Sequence, residues 1–516
     1  MSRENTTVVI GAGPYGRAVA AHLKAKKLST LINRFSKLHD IARQEPAPLQ
    51  IFLILVLIIA SACFLSSSQT PYTTSQSLTY YVSKNGNNAD GKSWATAWNE
   101  LNQINWSVVQ PRDTILLDGG SQSMTYTTTL AIKKSGTQTA PITIQRATDA
   151  GHNGHVILFG GRTTPLPYCG QSGYTYHPAS VDNGIVFSAN SWVVIDGLSW
   201  HGISIYGFNK AGIDMTDGGN PGNDTLRNLE IYDNGAATQN GGLWNPDAGG
   251  EGVWLSGTNN TFEQMDIHDN GDDEFNSGTG SPDHGGAISN VTINRSWMHV
   301  TREDPRTPGL PFNDCIHQDG YQIWDGGVSS GLLIENSVLG PGLGDNVILG
   351  QAKNAAVADS PAAQVNNVTL RNNLLIGRAR TILGYEQVKE TGWVIDHDTV
   401  VTFGSGSGVA EALFLEGSNN SVTNTIFYKG LVYLPDGLAA ASGNCSWQTQ
   451  WTNSAYAGQV ADPRFVTDVS GFNGATSLTS LANANYALQP SSPCKGAGSS
   501  ITSTAQFLSM IGSPFS

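Results

Sequence analysis

The chain has 516 residues, of which 13% are charged and 59 are glycine, with a formal net charge of −13. That acidic balance argues against a nucleic-acid partner, because phosphate binding needs clustered cations, but it leaves neutral sugars and calcium open. The length suits several domains or one long solenoid.

Residues 1–40 open with Val8-Val9-Ile10-Gly11-Ala12-Gly13-Pro14-Tyr15-Gly16, a strand followed by GxGxxG and a helical pattern. This segment resembles the start of FAD-dependent monooxygenases, whose first glycines admit a pyrophosphate at a helix N-terminus. The next strand carries Asn33 and Arg34 where an acid for the ribose is expected, and the pattern stops near Leu49. About forty residues cannot supply the sheet and second nucleotide half, so no working flavin site is expected. Residues 1–48 read as a truncated remnant or the product of a misplaced start.

Residues 49–66 hold the apolar run Ile51 to Leu65, preceded by Lys26, Lys27, Arg34, Lys37 and Arg43 and not followed by a cation until Lys84. Positive-inside logic puts the body outside the cell. The run suits a signal-peptide core or a short membrane anchor, with Ala60-Ser61-Ala62-Cys63 similar to a lipoprotein box. A Ser/Thr/Gln linker, 67–78, follows. Of the five cysteines, none forms CxxC, so no zinc site is expected from them. Cys445 and Cys494 either pair, if the domain is exported, or remain separate buried thiols.

From Thr79 a two-strand phrase recurs. In Glu251 to Gly271 it reads as a short strand Gly252-Val253-Trp254-Leu255, a Thr-Asn-Asn turn, and a longer strand Thr261 to His268. Matched apolar residues of the longer strand are Ile195, Leu226, Phe262, Ile293, Ile334, Leu370, Ile395 and Val422, spaced 25 to 41 residues apart. Such a period signals stacked repeats, and the β-branched, Asn/Gly-punctuated unit excludes helical ones. The entry, Tyr80 through Gly120, adds an amphipathic helix, and the exit carries Asp462-Pro463-Arg464-Phe465 and Tyr486-Ala-Leu-Gln-Pro. Entry, repeats and exit resemble the right-handed parallel β-helix proteins of the pectate-lyase-like superfamily over about residues 79–500, with 501–516 as a C-terminal tail. The resemblance implies an all-β solenoid capped by the N-terminal helix, and a substrate groove over the sheet built from the short strands.

Side chains alternate along a strand. Ile213, Met215, Val253, Leu255, Tyr321 and Ile323 should then fill the interior, and Asp214, Trp254, Gln322, Ile348, Leu383 and Phe414 should form an outward stripe. Trp254 and Trp324 are candidates for stacking on sugar rings, with Gln322 and Asp214 beside them. The longest polar loops enter the middle rungs and carry Asp272, Asp273, Asp283, His284, Arg302, Glu303, Asp304, Arg306, Asp314, His317 and Asp319. Glu251, Asp319 and Asp345 occupy equivalent places on different rungs. They read either as calcium ligands or as ordinary turn residues.

These residues imply an extracellular, monomeric carbohydrate-active protein with a polysaccharide as partner. As a lyase, it would neutralise a uronate with Arg302, Arg306 or Ca²⁺ and use His317 or His284 as base. As a glycoside hydrolase, it would pair Asp319 with Asp272 or Asp273. Asp272-Asp273 is similar to the paired aspartates of polygalacturonases, but the NTD, GHG and RIK segments of that family are absent. A non-catalytic, polysaccharide-binding surface protein fits the same fold.

Overall fold

The structure is a computed structural model. It describes residues 76–511 except 218, 247–248, 279–285, 317, 325–327, 352–363, 379, 385–388, 405–409, 435–437 and 439. The segments read as a nucleotide-fold remnant (1–48), a signal or anchor (49–66) and most of the linker (67–78) lie outside the described residues. Among those residues no helix is long and apolar enough to cross a membrane.

The chain coils as a parallel β-helix. All eight apolar residues matched in the sequence are Cα partners on successive rungs, from Ile195–Leu226 through Ile395–Val422. The column extends upstream through Tyr80, Ile115 and Ile144 and downstream to Ala441. Every matched residue is at most 1% exposed. Parallel strands that fill one interior read as apolar alternation, which is why pattern alone found the rungs.

Each coil has three strands rather than two. Thr261–Glu263 belongs to a middle sheet and Asp266–His268 to a third sheet. The turn between them is at Gln264, whose φ is 54°. Asn228, Arg295, Asn336, Asn372, His397 and Asn424 hold the same corner at positive φ. One left-handed residue, most often Asn, redirects the chain without breaking the inward alternation, so the corner is nearly invisible in the sequence. The short strands Ile213–Asp214, Val253–Leu255, Tyr321–Trp324, Asp345–Gln351 and their successors form the groove sheet. Phe275–Gly278 is a further groove strand, paired between Val253–Leu255 and Tyr321–Trp324, where the sequence reading had only a loop.

Side chains form ladders inside the corners. The Ser296 N–H donates to Ser337 Oγ (3.1 Å), the Ser337 N–H to Asn373 Oδ1 (3.0 Å), and the Asn373 N–H to Asp398 Oδ1 (2.7 Å). Asn373 Nδ2 also donates to the Ile334 carbonyl, as Asn444 Nδ2 does to Val422. Asp398 has no amide to donate, its Oδ2 lacks a partner, and burial pushes its pKa up to about 8. A folded pKa raised above the ordinary ~4 means that stability falls as pH rises between those values. Asp398→Asn is therefore expected to stabilise by about 1–3 kcal/mol at pH 8 and by less at pH 5, read from thermal melts at the two pH values. A destabilised variant at pH 8 would contradict this account.

The expected N-terminal helix is present as two 3₁₀ turns, Trp94–Thr96 and Leu101–Gln103. Trp98 interrupts it. Its backbone bridges to Val82, and its indole stacks on Tyr80 with centroids 5.2 Å apart. A residue used in the ladder cannot also continue a helix. At the other end, Phe465 and Tyr486 pack edge to face at 5.6 Å in a second apolar cluster. The segment read as a tail supplies the helix Thr504–Met510, whose Phe507 is fully buried and packs against Trp200.

Candidate functional site

The newly found rung completes a column. Because Val253, Phe275 and Tyr321 are register partners, the residues two before them, Glu251, Asp273 and Asp319, follow one another on consecutive rungs. Adjacent rungs lie about 4.8 Å apart. The three acids are 0%, 0% and 1% exposed, and Asp272 beside them is 6% exposed.

Part of this column is fixed by the scaffold. Asp273 Oδ1 accepts the Asp319 N–H (2.9 Å) and its Oδ2 accepts Asn276 Nδ2 (2.7 Å). Asp272 Oδ2 accepts the Gly249 N–H (3.1 Å). Glu251 differs: neither carboxylate oxygen has a hydrogen-bond partner. Burial, then the charges of Asp272 and Asp273, push the Glu251 pKa well above the usual carboxylate range. Burial does the same to neighbouring Glu274, despite its bond from Asn270. Four buried carboxylates on and beside consecutive rungs, one of them unsatisfied, supply the hard oxygen donors that a calcium ion takes. Glu251, Asp272, Asp273 and Asp319 are the residues that would hold it.

The incoming loops make a structured wall. Ala237–Asn240 and Leu243–Pro246 form an antiparallel hairpin, and Gln171–Ser172 adds a third strand. A disulfide joins Cys169 to Cys315, with Cα atoms 5.7 Å apart. The sequence reading missed this pair, while the Cys445–Cys494 pair is present. Arg302 is committed to the wall: its guanidinium lies 4.1 Å over the Phe312 ring, donates to the Leu166 carbonyl (2.6 Å), and faces Asp233 at 3.5 Å. It is therefore a clamp between loops rather than a group free to neutralise a substrate. Arg306 likewise pairs with Asp304 at 2.6 Å.

The outward stripe is real in register through Phe414, but over its first four rungs it is not open. Asp214, Trp254, Asn276 and Gln322 are successive Cα partners. They are 5%, 8%, 0% and 3% exposed. Asp214 accepts the Thr216 N–H and hydroxyl at 2.8 Å and Asn183 Nδ2 at 3.0 Å, so it organises turns. Gln322 Oε1 accepts Asn276 Nδ2 (3.2 Å). Trp254 thus presents no open face for sugar stacking. Register settles which face a residue takes; what lies over that face is a tertiary matter that alternation does not encode.

His317 and His284 lie outside the described residues. The backbones of Trp324 and Asp345 are in the groove sheet, opposite Gly278 and Arg380 respectively, but their side chains lie outside the described set. The structure stacks Glu251, Asp273 and Asp319 on consecutive rungs with Asp272 beside them, and ties Arg302 to Phe312, Leu166 and Asp233. It also reveals a histidine and carboxylate cluster on the third sheet, around His201, Glu230 and Asp266, that sequence reasoning missed. Its signal was the alternating polar positions of Asp266-Ile267-His268 and Trp297-Met298-His299.

No family model matches the chain, and no curated protein matches it. Solved structures do. The chain is similar to pectate lyase Pel9A at 17% identity and a TM-score of 0.45, covering 82% of this chain and 92% of that one. It is similar to a GH136 lacto-N-biosidase from Eubacterium ramulus at 13% identity and a TM-score of 0.42, covering 74% and 67%. A rhamnogalacturonan lyase matches at 13% identity and a TM-score of 0.35, covering 84% and 99%. At these identities the likeness is one of fold.

Proposed function

We propose that the chain is an exported polysaccharide lyase that holds calcium on Glu251, Asp272, Asp273 and Asp319 beside the groove sheet. The observation that carries this reading is the Glu251 carboxylate, fully buried among like charges with neither oxygen satisfied. A buried charge without a partner is costly, and a divalent cation would remove that cost. When bound, the ion supplies the positive charge that neutralises a uronate and acidifies its neighbouring C–H. In this proposal His317, two residues before Asp319, takes the proton. Arg302 has no part in the chemistry because its guanidinium is held by Phe312, Leu166 and Asp233. A glycoside hydrolase would need carboxylates open to both sides of the scissile bond, and the acids here are buried on neighbouring rungs. Export is supported by the two disulfides, which persist in oxidising compartments, and by the apolar run at residues 49–66.

The test incubates the purified full chain with plant, algal and bacterial uronate-containing and neutral polysaccharides, with Ca²⁺ or with EDTA. Product ultraviolet absorbance and reducing ends are read together. The expected result is new absorbance with a uronate polymer that is lost with EDTA. Reducing ends without absorbance would replace the lyase by a hydrolase. Retained sugar binding with neither signal would make the chain a binding protein.

A further inference from the structure

The third sheet carries a second cluster of chemically competent side chains on its outer face, distinct in residues from the acid column. Register places Ser204, Glu230, Asp266 and Trp297 on successive rungs, and Tyr206, Tyr232, His268 and His299 in the column two residues on. His201 enters from the preceding turn. Its Nε2 lies 2.6 Å from Asp266 Oδ2 and its Nδ1 lies 3.4 Å from Glu230 Oε1. His268 Nε2 lies 3.7 Å from the same Glu230 oxygen. One ligand atom each from His201, Glu230 and Asp266 fall within 4.8 Å of one another.

Those separations are informative. Ligand atoms about 2.0–2.1 Å from a tetrahedral zinc are about 3.3–3.4 Å apart. The 3.4 and 3.7 Å contacts to Glu230 are long for charge-assisted hydrogen bonds but match ligand edges around a cation. The second layer is also built. His268 Nδ1 faces Asp269 Oδ2 at 2.9 Å, and Asp269 is fixed in turn by the Thr301 hydroxyl (2.6 Å) and the Arg302 N–H (2.9 Å). This turns His268 Nε2 towards Glu230. His299 Nε2 sits 2.9 Å from Asp266 Oδ1, leaving Oδ2 to His201 Nε2, which turns His201 Nδ1 towards Glu230. Outer carboxylates that orient ligating histidines are a recurrent feature of metal sites. The side chains of His201, Glu230 and His268 are 21%, 17% and 16% exposed, so the centre is reachable from solvent.

We propose that His201 through Nδ1, Glu230 and His268 through Nε2 form a binding site for one divalent transition metal of the zinc class, with Asp266 as the outer carboxylate that holds His201 by Nε2. Two imidazoles with one carboxylate suit zinc, cobalt or nickel, whereas calcium takes oxygen donors. The site draws its ligands from three consecutive coils, so the metal cross-links them. It does not depend on the lyase reading.

The test is equilibrium dialysis of the EDTA-treated full chain against Zn²⁺ in excess Ca²⁺, with bound metal measured by elemental analysis. One equivalent of zinc is expected, with affinity falling about a hundredfold or more in His201→Ala and Glu230→Gln and unchanged in His152→Ala, which lies elsewhere on Trp94. Circular dichroism checks that each variant folds. If either ligand variant does not fold, Co²⁺-loaded wild-type protein decides, since paramagnetically shifted imidazole proton resonances from two histidines are expected. Absence of bound zinc in the wild type, undiminished affinity in folded His201→Ala, or a cobalt form without shifted histidine resonances would each overturn the proposal.

Discussion

Glu251→Gln is expected to raise the melting temperature of the calcium-free protein while abolishing its stabilisation by calcium and cutting its turnover. The two effects have opposite signs for one reason. Without a cation, Glu251 is a fully buried carboxylate raised in pKa by burial and by Asp272 and Asp273. The raised pKa means that calcium-free stability falls as pH climbs from the unfolded value, about 4, towards the folded one. Glutamine removes that charge at nearly constant volume, so the gain should be larger at pH 8 than at pH 5. Calcium at a hundred times its dissociation constant stabilises the wild type by about 2.7 kcal/mol, and this increment should vanish in the variant. Turnover should fall by about 10²–10³-fold, the usual cost of losing a preorganised charge at a reacting centre. Thermal melts at two pH values with and without Ca²⁺, run beside the absorbance assay, read all of this. A variant less stable than wild type in EDTA would show that Glu251 is a satisfied structural residue.

Breaking the Cys169–Cys315 disulfide should have the second large effect, and more on activity than the Cys445–Cys494 bond. The two bonds close loops of different length, with sequence separations of 146 and 49. On the chain-entropy account they constrain the unfolded chain by about 5 and about 4 kcal/mol respectively, so stability alone separates them poorly. Position separates them well. Cys315 lies four residues before Asp319, and the backbone N–H of Asp319 is one of the bonds that orient Asp273. Cys169 belongs to the wall segment that also receives Arg306 at its carbonyl. Paired Cys169→Ala and Cys315→Ala substitutions should lower stability by about 3–5 kcal/mol and cut turnover at temperatures where the chain is fully folded. The Cys445→Ala and Cys494→Ala pair should lower stability without that kinetic loss. Equal turnover in both folded variants would place the wall outside the reaction.

The repeat was legible because burial is written into alternation. Every matched apolar residue from Ile195 to Val422 proved a register partner of the next, which is possible because each must face one continuous interior. The corner at Gln264 was not legible, since a single left-handed residue changes direction without changing parity. The rung Phe275–Gly278 was missed for a different reason. Its neighbours Asp272 and Asp273 read as part of a long polar loop, whereas the fold buries them. That one rung decides the site, because it inserts Asp273 between Glu251 and Asp319.

Composition and period by themselves determined that this chain is a stack of β repeats, that Ile195 to Val422 form one column, and which residues of these strands point inward, because those properties follow from the local alternation of side chains. Only the tertiary structure decided that Trp254 is covered, that Arg302 is spent on Phe312 and Asp233, and that Glu251 is buried without a partner. Each of these depends on segments far apart in the chain. The histidine cluster of the third sheet has the same origin: His201, Glu230 and Asp266 are spread over 66 residues of sequence and meet because the coil returns to the same face on every turn.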